Sequence, residues 1–565
     1  MSPQITILPE GRVLEALFEA RLGDVLSQAG LPISLYCGRR GVCGKCAVEI
    51  ISGDVAALDD RERLLLEARR LPAERFRLAC RLFVRGNLTV RIPETSFMRG
   101  LRILARGAGK SVRLDPAVRK ITGRRAELPG APPGPEETIL TALLGPGDDV
   151  LAYEREDTTS RLFGLAADLG TTTLVVDLVD LQSGTVVATA VGLNGQSIFG
   201  ADVVSRITAA FQNPSQAEAL RRAVLDSLNG LIAEVCRTGN VRSDEIYETV
   251  IAGNTTMGHL FLGLSIDGLA VAPFETDDLS PPPMSAETAG LTVNPAGYVV
   301  LAPHLHSFVG GDITAGILAL DLPSRPGNVL LIDLGTNGEL VLKSERGLTA
   351  TSTAAGPAFE GMSISCGMPA QSGAIDKAGW DPDGRWVVQT IGSGPARGVC
   401  GSGLVDVIAA FLVRGELSAQ GRILRPDKRL EMTAGLALIP SDIREIQLAA
   451  AAVKTGIRML LAAAGLKIGD LDEVLVAGAF GASLDIGNAV RIGLLPRLPE
   501  GRIRFVGNTS LEGARAMLLS RAERNLAARI AGGVGHLPLA QDDAFQQMFV
   551  EALEFREWPD ADPHL

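Results

Sequence analysis

Leu165-Ala-Ala-Asp168-Leu-Gly170-Thr171-Thr172-Thr173-Leu-Val-Val-Asp177 reads as an apolar strand, a Gly-Thr turn and a second apolar strand. The same grammar returns 165 residues further on, at Val329-Leu-Leu-Ile-Asp333-Leu-Gly335-Thr336-Asn337-Gly338-Glu339-Leu-Val-Leu. In each copy a buried strand delivers an aspartate at its end. The small turn that follows offers N–H groups and hydroxyls suited to phosphate oxygens. Asp168 and Asp333 are thereby placed to engage a hydrated metal ion or an attacking water. One Asp-Leu-Gly-Thr taken alone is equally an ordinary hairpin turn. Two copies mark an internal duplication.

Towards the C-terminus, Val474-Leu-Val-Ala-Gly478-Ala-Phe-Gly481-Ala-Ser483 is a strand ending in a glycine turn before a helical stretch, and Gly401-Ser402-Gly403-Leu404 precedes an apolar helix. Glycine is needed where a flat ring or a phosphate approaches the backbone. Between the hairpins, Asn194-Gly-Gln-Ser-Ile-Phe-Gly-Ala-Asp202-Val-Val-Ser-Arg-Ile puts Val203, Val204, Ile207 and Phe211 on one helical face, a stripe that a plain core helix also produces. Gly253-Asn254-Thr255-Thr256-Met257, Gly310-Gly311-Asp312-Ile-Thr314 and Gly507-Asn508-Thr509 each follow an apolar, strand-like run. They suit the wall of a cleft, with Asp312 as a further metal-ordering carboxylate, and they suit helix N-caps equally well. His304-Leu-His306 has no cysteine cluster near it and reads as loop rather than metal site.

The two hairpins resemble the phosphate-1 and phosphate-2 loops of the actin, sugar-kinase and heat-shock-chaperone superfamily, in which two facing halves hold ATP. The resemblance implies a duplicated actin-like (ribonuclease-H-like) ATPase, with a first half at 161–325 and a second at 326–565. ATP with Mg2+ is the implied ligand, and Asp168, Asp312 and Asp333 the implied catalytic carboxylates. Gly170, Thr171, Thr172, Gly335, Thr336, Asn337 and Gly338 would surround the phosphates, and Gly401, Ser402, Gly403, Gly478 and Gly481 the rest of the nucleotide.

Upstream, the stretch Cys37-Gly38-Arg39-Arg40-Gly41-Val42-Cys43-Gly44-Lys45-Cys46 and the later Cys80 leave gaps of five, two and thirty-three residues between thiols. The plant-type spacing that sets four thiolates around a [2Fe–2S] cluster is close to this, with a first gap one residue shorter. Glycines 38, 41 and 44 let the loop wrap tightly and turn N–H groups toward sulfur. Zinc knuckles and redox dithiols draw on the same residue types, but zinc ribbons pair two Cys-x-x-Cys knuckles, whereas here one thiol stands alone at each end. Cys236, Cys366 and Cys400 lie in apolar or glycine-rich surroundings and read as buried small residues.

Around the cysteine loop, Ile5 and Ile7 alternate with polar neighbours, Leu22, Val25, Leu26 and Ala29 recur at helical spacing, 47–51 and 88–92 read as strands and 60–69 as a helix. This order resembles the β-grasp fold of [2Fe–2S] ferredoxins, and the five-residue first gap matches adrenodoxin-like members and fused ferredoxin modules. The resemblance implies a ferredoxin-like domain at 1–94, with Cys37, Cys43, Cys46 and Cys80 as iron ligands. Residues 95–160 read as a linker region with a small helical piece, too short for a further middle domain, because 128–137 is a proline-rich polar run. Gly107-Ala-Gly-Lys-Ser111 imitates the end of a P-loop, but Leu104 stands where that motif needs glycine, which leaves a solvated basic loop.

A chain of 565 residues exceeds one core, and an α/β multidomain protein is expected. A formal net charge of −11 argues against nonspecific nucleic-acid binding. Seven cysteines, four of them in the cluster set, make no disulfide framework, so a reducing compartment, the cytoplasm, is expected. Residues 1–10 contain no apolar signal core. The longest apolar stretch, 449–465, is interrupted by Lys454 and Arg458 and predicts an amphipathic helix rather than a membrane span.

A ferredoxin-like module joined to an actin-like ATPase resembles the reductive activators of corrinoid proteins. That resemblance implies an enzyme that uses ATP to return an adventitiously oxidised cob(II)alamin centre to the cob(I)alamin a methyltransferase cycle needs. The implied partners are the corrinoid protein of a methyltransferase system, a low-potential electron donor and a second copy in a homodimer, with neither nucleic acid nor membrane among them. Plant-type clusters sit near about −400 mV and the cobalt couple lies lower, so ATP supplies what the cluster lacks. The alternatives are an ATP-dependent activator of a radical dehydratase or reductase, whose [4Fe–4S] cysteine pattern Cys236, Cys366 and Cys400 lack, and a nucleotide-dependent redox sensor.

Overall fold

The computed structural model describes residues 3–8, 11–29, 31, 33, 41, 44–68, 71–93, 96, 110–478, 484–539 and 543–558. Of the residues singled out above, Cys37, Cys43, Gly481, Arg39, Arg40 and 107–109 lie outside this set.

The N-terminal module runs β1 (Gln4–Leu8), β2 (Arg12–Glu15), α1 (Leu22–Gln28), β3 (Ala47–Ser52), α2 (Asp60–Ala68), β4 (Phe76–Leu78) and β5 (Leu88–Arg91). Its sheet has the order β2-β1-β5-β3-β4, with β1 parallel to β5 and the other pairs antiparallel, which is the β-grasp arrangement. Ile5 and Ile7 alternate inward against Leu22, Leu26 and Leu66. Buried Glu62 accepts from the Arg77 guanidinium at 3.1 and 3.0 Å and from the Leu78 N–H at 2.6 Å, which pins α2 to β4.

Residues 110–160 correct the linker reading. Asp115 exchanges backbone hydrogen bonds with Leu519 and Arg521, both 2.9 Å. The chain then forms an antiparallel sheet of β6 (Arg119–Arg124), β7 (Ile139–Leu144) and β8 (Val150–Arg155). The proline-rich run at 128–137 is irregular, as its composition requires, but it serves as the β6–β7 connection. The strands escaped notice because β6 and β8 are half-buried along their length and show no clean alternation. Lys120 anchors the sheet to the next domain, its ammonium donating to Glu154 at 2.7 Å, Tyr247 at 2.8 Å and the Arg161 carbonyl at 2.8 Å.

The first half comprises β9 (Phe163–Leu169), β10 (Thr173–Asp180), β11 (Val186–Leu193), α3 (Val203–Gln212), α4 (Pro214–Gly239), β12 (Ile246–Gly253), α5 (Thr255–Leu262), α6 (Asp267–Ala270), β13 (Met284–Ser285), α7 (Ala286–Ala289), β14 (Tyr298–Leu301) and α8 (Gly311–Ala319). The second half begins with β15 (Val329–Leu334), β16 (Gly338–Ser344), β17 (Gly347–Thr353), β18 (Ala374–Trp380), β19 (Trp386–Thr390), β20 (Gly398–Val399), α9 (Gly401–Val413), β21 (Leu430–Thr433), β22 (Leu436–Leu438) and α10 (Pro440–Ala464). It ends with β23 (Glu473–Ala477), α11 (Ile486–Arg491), β24 (Ile503–Gly507), α12 (Thr509–Leu519), α13 (Arg521–Gly533), β25 (Gly535–His536) and α14 (Asp543–Ala552).

The duplication is plain in the strand orders: β11-β10-β9-β12-β14 in the first half and β17-β16-β15-β23-β24 in the second. In both, three antiparallel strands lead into two parallel ones, and helices cover the faces, so strands such as β12 are buried throughout. Helices α8 and α12, equivalent in the two repeats, pack against each other. A Cβ on Gly513 would come within 2.1 Å of the Ala315 carbonyl oxygen, so this close crossing requires glycine. The halves also meet where His306 stacks on His536, with ring centroids 3.8 Å apart.

Two expectations change in detail. In α3 the buried face is Val203, Arg206, Ile207 and Ala210, while Val204 and Phe211 are exposed. Helix α10 is long and apolar enough to cross a membrane, yet 83% of its most apolar window is buried in the fold. Lys454 within it lies 5.5 Å from the Trp558 ring.

Candidate active site between the two halves

The duplicated hairpins face each other across a cleft of about 810 Å³, open to solvent. Asp168, Gly170, Thr171 and Thr172 line it from the first half; Asp333, Gly335, Thr336, Asn337 and Gly478 line it from the second. Asp312, at the start of α8, completes the predicted carboxylates.

The first turn is held from behind. The Asn194 side chain donates to the Gly170 carbonyl at 3.0 Å, Arg206 to the Thr171 carbonyl at 2.6 Å, and the Asn194 N–H to the Thr172 carbonyl at 2.8 Å. With its carbonyls taken, the turn presents amides and hydroxyls to an anion. Arg206 is fully buried, and desolvation brings its pKa down to about 9. The stretch from Asn194 to Arg206, read from sequence only as a helix face, is thus the buttress of this turn.

Two of the three strand-following stretches are cap and cleft wall at once, whereas the third puts Gly310 at the helix start and only Asp312 in the cleft. Asn254 accepts from the Met257 N–H at 3.0 Å to cap α5 and donates to the Thr171 hydroxyl at 2.9 Å. Asn508 accepts from the Leu511 N–H at 3.0 Å to cap α12 and donates to Asp168 at 2.8 Å. Ser510 donates to the other Asp168 oxygen, also at 2.8 Å. A first-half carboxylate is therefore oriented entirely from the second half.

Burial sets the protonation of the acids. Asp312 and Asp333 are each pushed up to about 7 by desolvation, reinforced by Asp168 and, for Asp333, by Asp312. Glu339 lies opposite Asp333 in the β15–β16 register and is raised well above its ordinary range for the same reasons. Five carboxyl groups, Asp168, Asp312, Asp333, Glu339 and Glu360, line the cleft beside the amides and hydroxyls of the two turns. Phosphate enters such a site only together with a cation. Among the described residues no three acids or histidines converge on one point. A hard cation that keeps most of its waters, as Mg2+ does, fits that donor set.

Gly478 has φ +99, and a Cβ there would come within 2.5 Å of the Leu334 carbonyl oxygen, so the predicted glycine turn does abut the second hairpin. Gly401, Ser402 and Gly403 are not brought to the cleft. They open α9, and a Cβ on Gly403 would meet the Ile375 carbonyl oxygen of β18 at 2.3 Å. Gly403 serves helix–strand packing, which produces the same sequence signal. Sequence reasoning missed Arg206, Asn194, Ser510 and Glu360 as site residues; Glu339 stood in the quoted hairpin, but its pairing with Asp333 is a register fact.

Of the four predicted iron ligands, Cys46 and Cys80 are described. Both are buried, and the Cys80 N–H points at the Cys46 sulfur at 3.5 Å, the outer-shell hydrogen bond expected around cluster thiolates. Cys366 and Cys400 are buried, with their thiols donating to the carbonyls of Ala437 and Ile375, and Cys236 is half-buried. His304 accepts from the Gly311 N–H at 2.9 Å at the start of α8.

Fold and site together define an iron–sulfur protein in which a β-grasp ferredoxin module is fused to a duplicated, actin-like domain. Comparison with known proteins is specific. Three family profiles match in succession: the 2Fe-2S iron-sulfur cluster binding domain over residues 5–85, the RACo middle region over 163–325, and the C-terminal domain of RACo, the ASKHA domain, over 327–562. The chain is 30% identical over 590 positions to the corrinoid activation enzyme RamQ of Eubacterium limosum, covering 94% of this chain and 95% of that protein. It is 25% identical over 430 positions to the [Co(II) methylated amine-specific corrinoid protein] reductase of Methanosarcina barkeri, covering 70% and 77%. The solved structure of a reductive activator for a corrinoid, iron-sulfur protein matches with a TM-score of 0.73 and 32% identity over 98% of both chains. The chain belongs to the family of corrinoid-activating reductive activators.

Proposed function

We propose that this chain is an ATP-dependent reductive activator, which passes an electron from a low-potential donor to the cob(II)alamin centre of a corrinoid protein in a methyltransferase system and so forms cob(I)alamin. The observation that carries this reading is the contact of the cluster module with the second half beside the cleft: Lys45, next to Cys46, reaches the carbonyls of Gly361 and Met362, which follow the cleft residue Glu360. The names of the relatives support it. The [2Fe–2S] cluster, when bound, supplies the one electron that Co(II) needs to become Co(I).

The chain's own residues then have the following roles. The amides and hydroxyls of Gly170, Thr171, Thr172, Gly335, Thr336, Asn337 and Gly338 bind the phosphates, and Gly478 lies on the adenosine side. Asp312, Asp333 and Glu339 would hold a hydrated Mg2+, which would offset the phosphate charge. Asp168, fixed by Asn508 and Ser510, orients the attacking water, and a cleft carboxylate takes its proton as the terminal phosphorus–oxygen bond breaks to give ADP and phosphate. Because Asp168 is gripped from the opposite half, closure of the halves assembles the site. Cys236, Cys366 and Cys400, none of them in a disulfide, suit a reducing compartment, the cytoplasm.

The experiment is to reduce the cluster, mix the protein with a Co(II) corrinoid protein and ATP, and record electron paramagnetic resonance. The cluster and Co(II) signals are expected to disappear together; persistence of both contradicts the proposal.

A further inference from the structure

Glu360 stands where the two phosphate-type turns touch. Its Oε2 accepts from the hydroxyls of Thr172 at 2.8 Å and Thr336 at 2.9 Å, and those hydroxyls lie 3.0 Å apart. One carboxylate oxygen thus joins the first half to the second, in the acceptor position a phosphate oxygen would take. Two anions do not share one pair of hydroxyls, because each repels the other at that distance. Arg206 attracts Glu360, but its guanidinium donates to the carbonyls of Thr171 and Gly200, so it does not neutralise the carboxylate directly. Burial raises the Glu360 pKa, in keeping with an acid that is poorly solvated where it stands.

The other side of the same turn holds the cluster module. The turn is closed by the Gly361 N–H on the Ala358 carbonyl at 2.9 Å and the Met362 N–H on the Pro357 carbonyl at 3.1 Å, and Phe359 anchors it in the second-half core. Its Gly361 and Met362 carbonyls accept from the Lys45 ammonium, the latter at 3.3 Å. Lys45 is 3% exposed and Cys46 is 1% exposed. Ile198, from the buttress of the first turn, packs on the ferredoxin core as well. The carboxylate that bridges both turns and the carbonyls that seat Lys45 are one and two residues apart.

We propose that the turn 357–362 couples the cleft to the cluster module: without a nucleoside triphosphate Glu360 clamps Thr172 to Thr336 and its turn seats Lys45, and a bound triphosphate takes the two hydroxyls, displaces Glu360 with the Gly361 and Met362 carbonyls, and unseats Lys45. The contact between the cluster module and the second half at Lys45 is thereby released. Glu360 is a positioning residue in this scheme, and the proposal rests on the cleft being a nucleotide site. Coupling is reciprocal, so a change that loosens the Lys45 seat tightens triphosphate binding.

The test is hydrogen–deuterium exchange on the full-length, cluster-loaded chain with Mg2+ and a non-hydrolysable ATP analogue carrying an imido bridge. Protection of 170–173 and 335–338 reports binding, and exchange of 44–47 reports the seat. The analogue is expected to protect both turns and to speed exchange at 44–47 about tenfold, within the usual range of coupling between sites. Glu360→Gln keeps the shape and an acceptor but removes the charge. It is expected to bind the analogue at least about fivefold more tightly and to lose most of the response at 44–47. Lys45→Met is expected to exchange rapidly at 44–47 with or without nucleotide. Protected turns with unchanged exchange at 44–47 in the wild-type chain overturn the coupling and leave the nucleotide site standing. Turns that gain no protection overturn both.

Discussion

Asp168 and Asp333 end equivalent strands, yet their surroundings differ. Asp168 is held by Asn508 and Ser510 from the opposite half, whereas Asp333 faces Glu339 across its own hairpin. Under the proposed mechanism, removing either carboxylate takes away a group that acts at the terminal phosphate. Asp168→Ala and Asp333→Ala are each expected to lower ATP-stimulated cobalt reduction by about 100-fold or more, with the iron signal unchanged; phosphate release and paramagnetic resonance on the same samples check this. These two aspartates were legible because strand, Asp and Gly-Thr turn are contiguous in sequence. Glu360, Arg206 and Asn194 were not, since each reaches the hairpins from a distant segment and only the folded chain brings it there. A buried arginine donating to a turn carbonyl leaves no local pattern.

Among the elements, α8 and α12 carry the pseudo-twofold contact below the cleft. Gly513→Ala gains about 1 kcal/mol of helix propensity, but its Cβ meets backbone, not a flexible side-chain end. A net loss of about 1–3 kcal/mol, the usual cost of overpacking, is expected in denaturant unfolding. The second contact, His306 on His536, is sensitive to pH. Burial, followed by the neighbouring His306, holds His536 down at about 4, against an ordinary value of 6.5. A folded-state pKa below the unfolded one means stability that is present above about 6.5 and is lost as pH falls toward about 4. Melting temperature is therefore expected to fall more steeply from pH 7 to 5 in the wild-type chain than in His536→Phe. The double service of Asn254 and Asn508 shows why sequence left cap and cleft wall as alternatives: the side-chain oxygen does one job and the amide nitrogen the other. The α3 stripe was misplaced for a related reason, because buried Arg206 takes a core position that hydrophobic periodicity assigns to an apolar residue.

In the whole molecule, two functional modules were readable from cysteine spacing and from the repeated hairpin, while the β6–β8 sheet between them was not, its strands lacking alternation and its proline-rich connection resembling a linker. How the modules meet was likewise invisible, since Lys45 and Gly361 are 316 residues apart. If the cluster module delivers the electron, Cys46→Ser and Cys80→Ser are expected to lose the [2Fe–2S] resonance and all cobalt reduction, yet to bind the ATP analogue as the wild-type chain does, as calorimetry will show. The central claim is that ATP in the cleft makes an uphill electron transfer proceed. It is tested most directly by following cob(I)alamin absorbance after the reduced protein is mixed with a Co(II) corrinoid protein, with and without ATP. Reduction that depends on ATP is the predicted result; equal rates with and without ATP would contradict it.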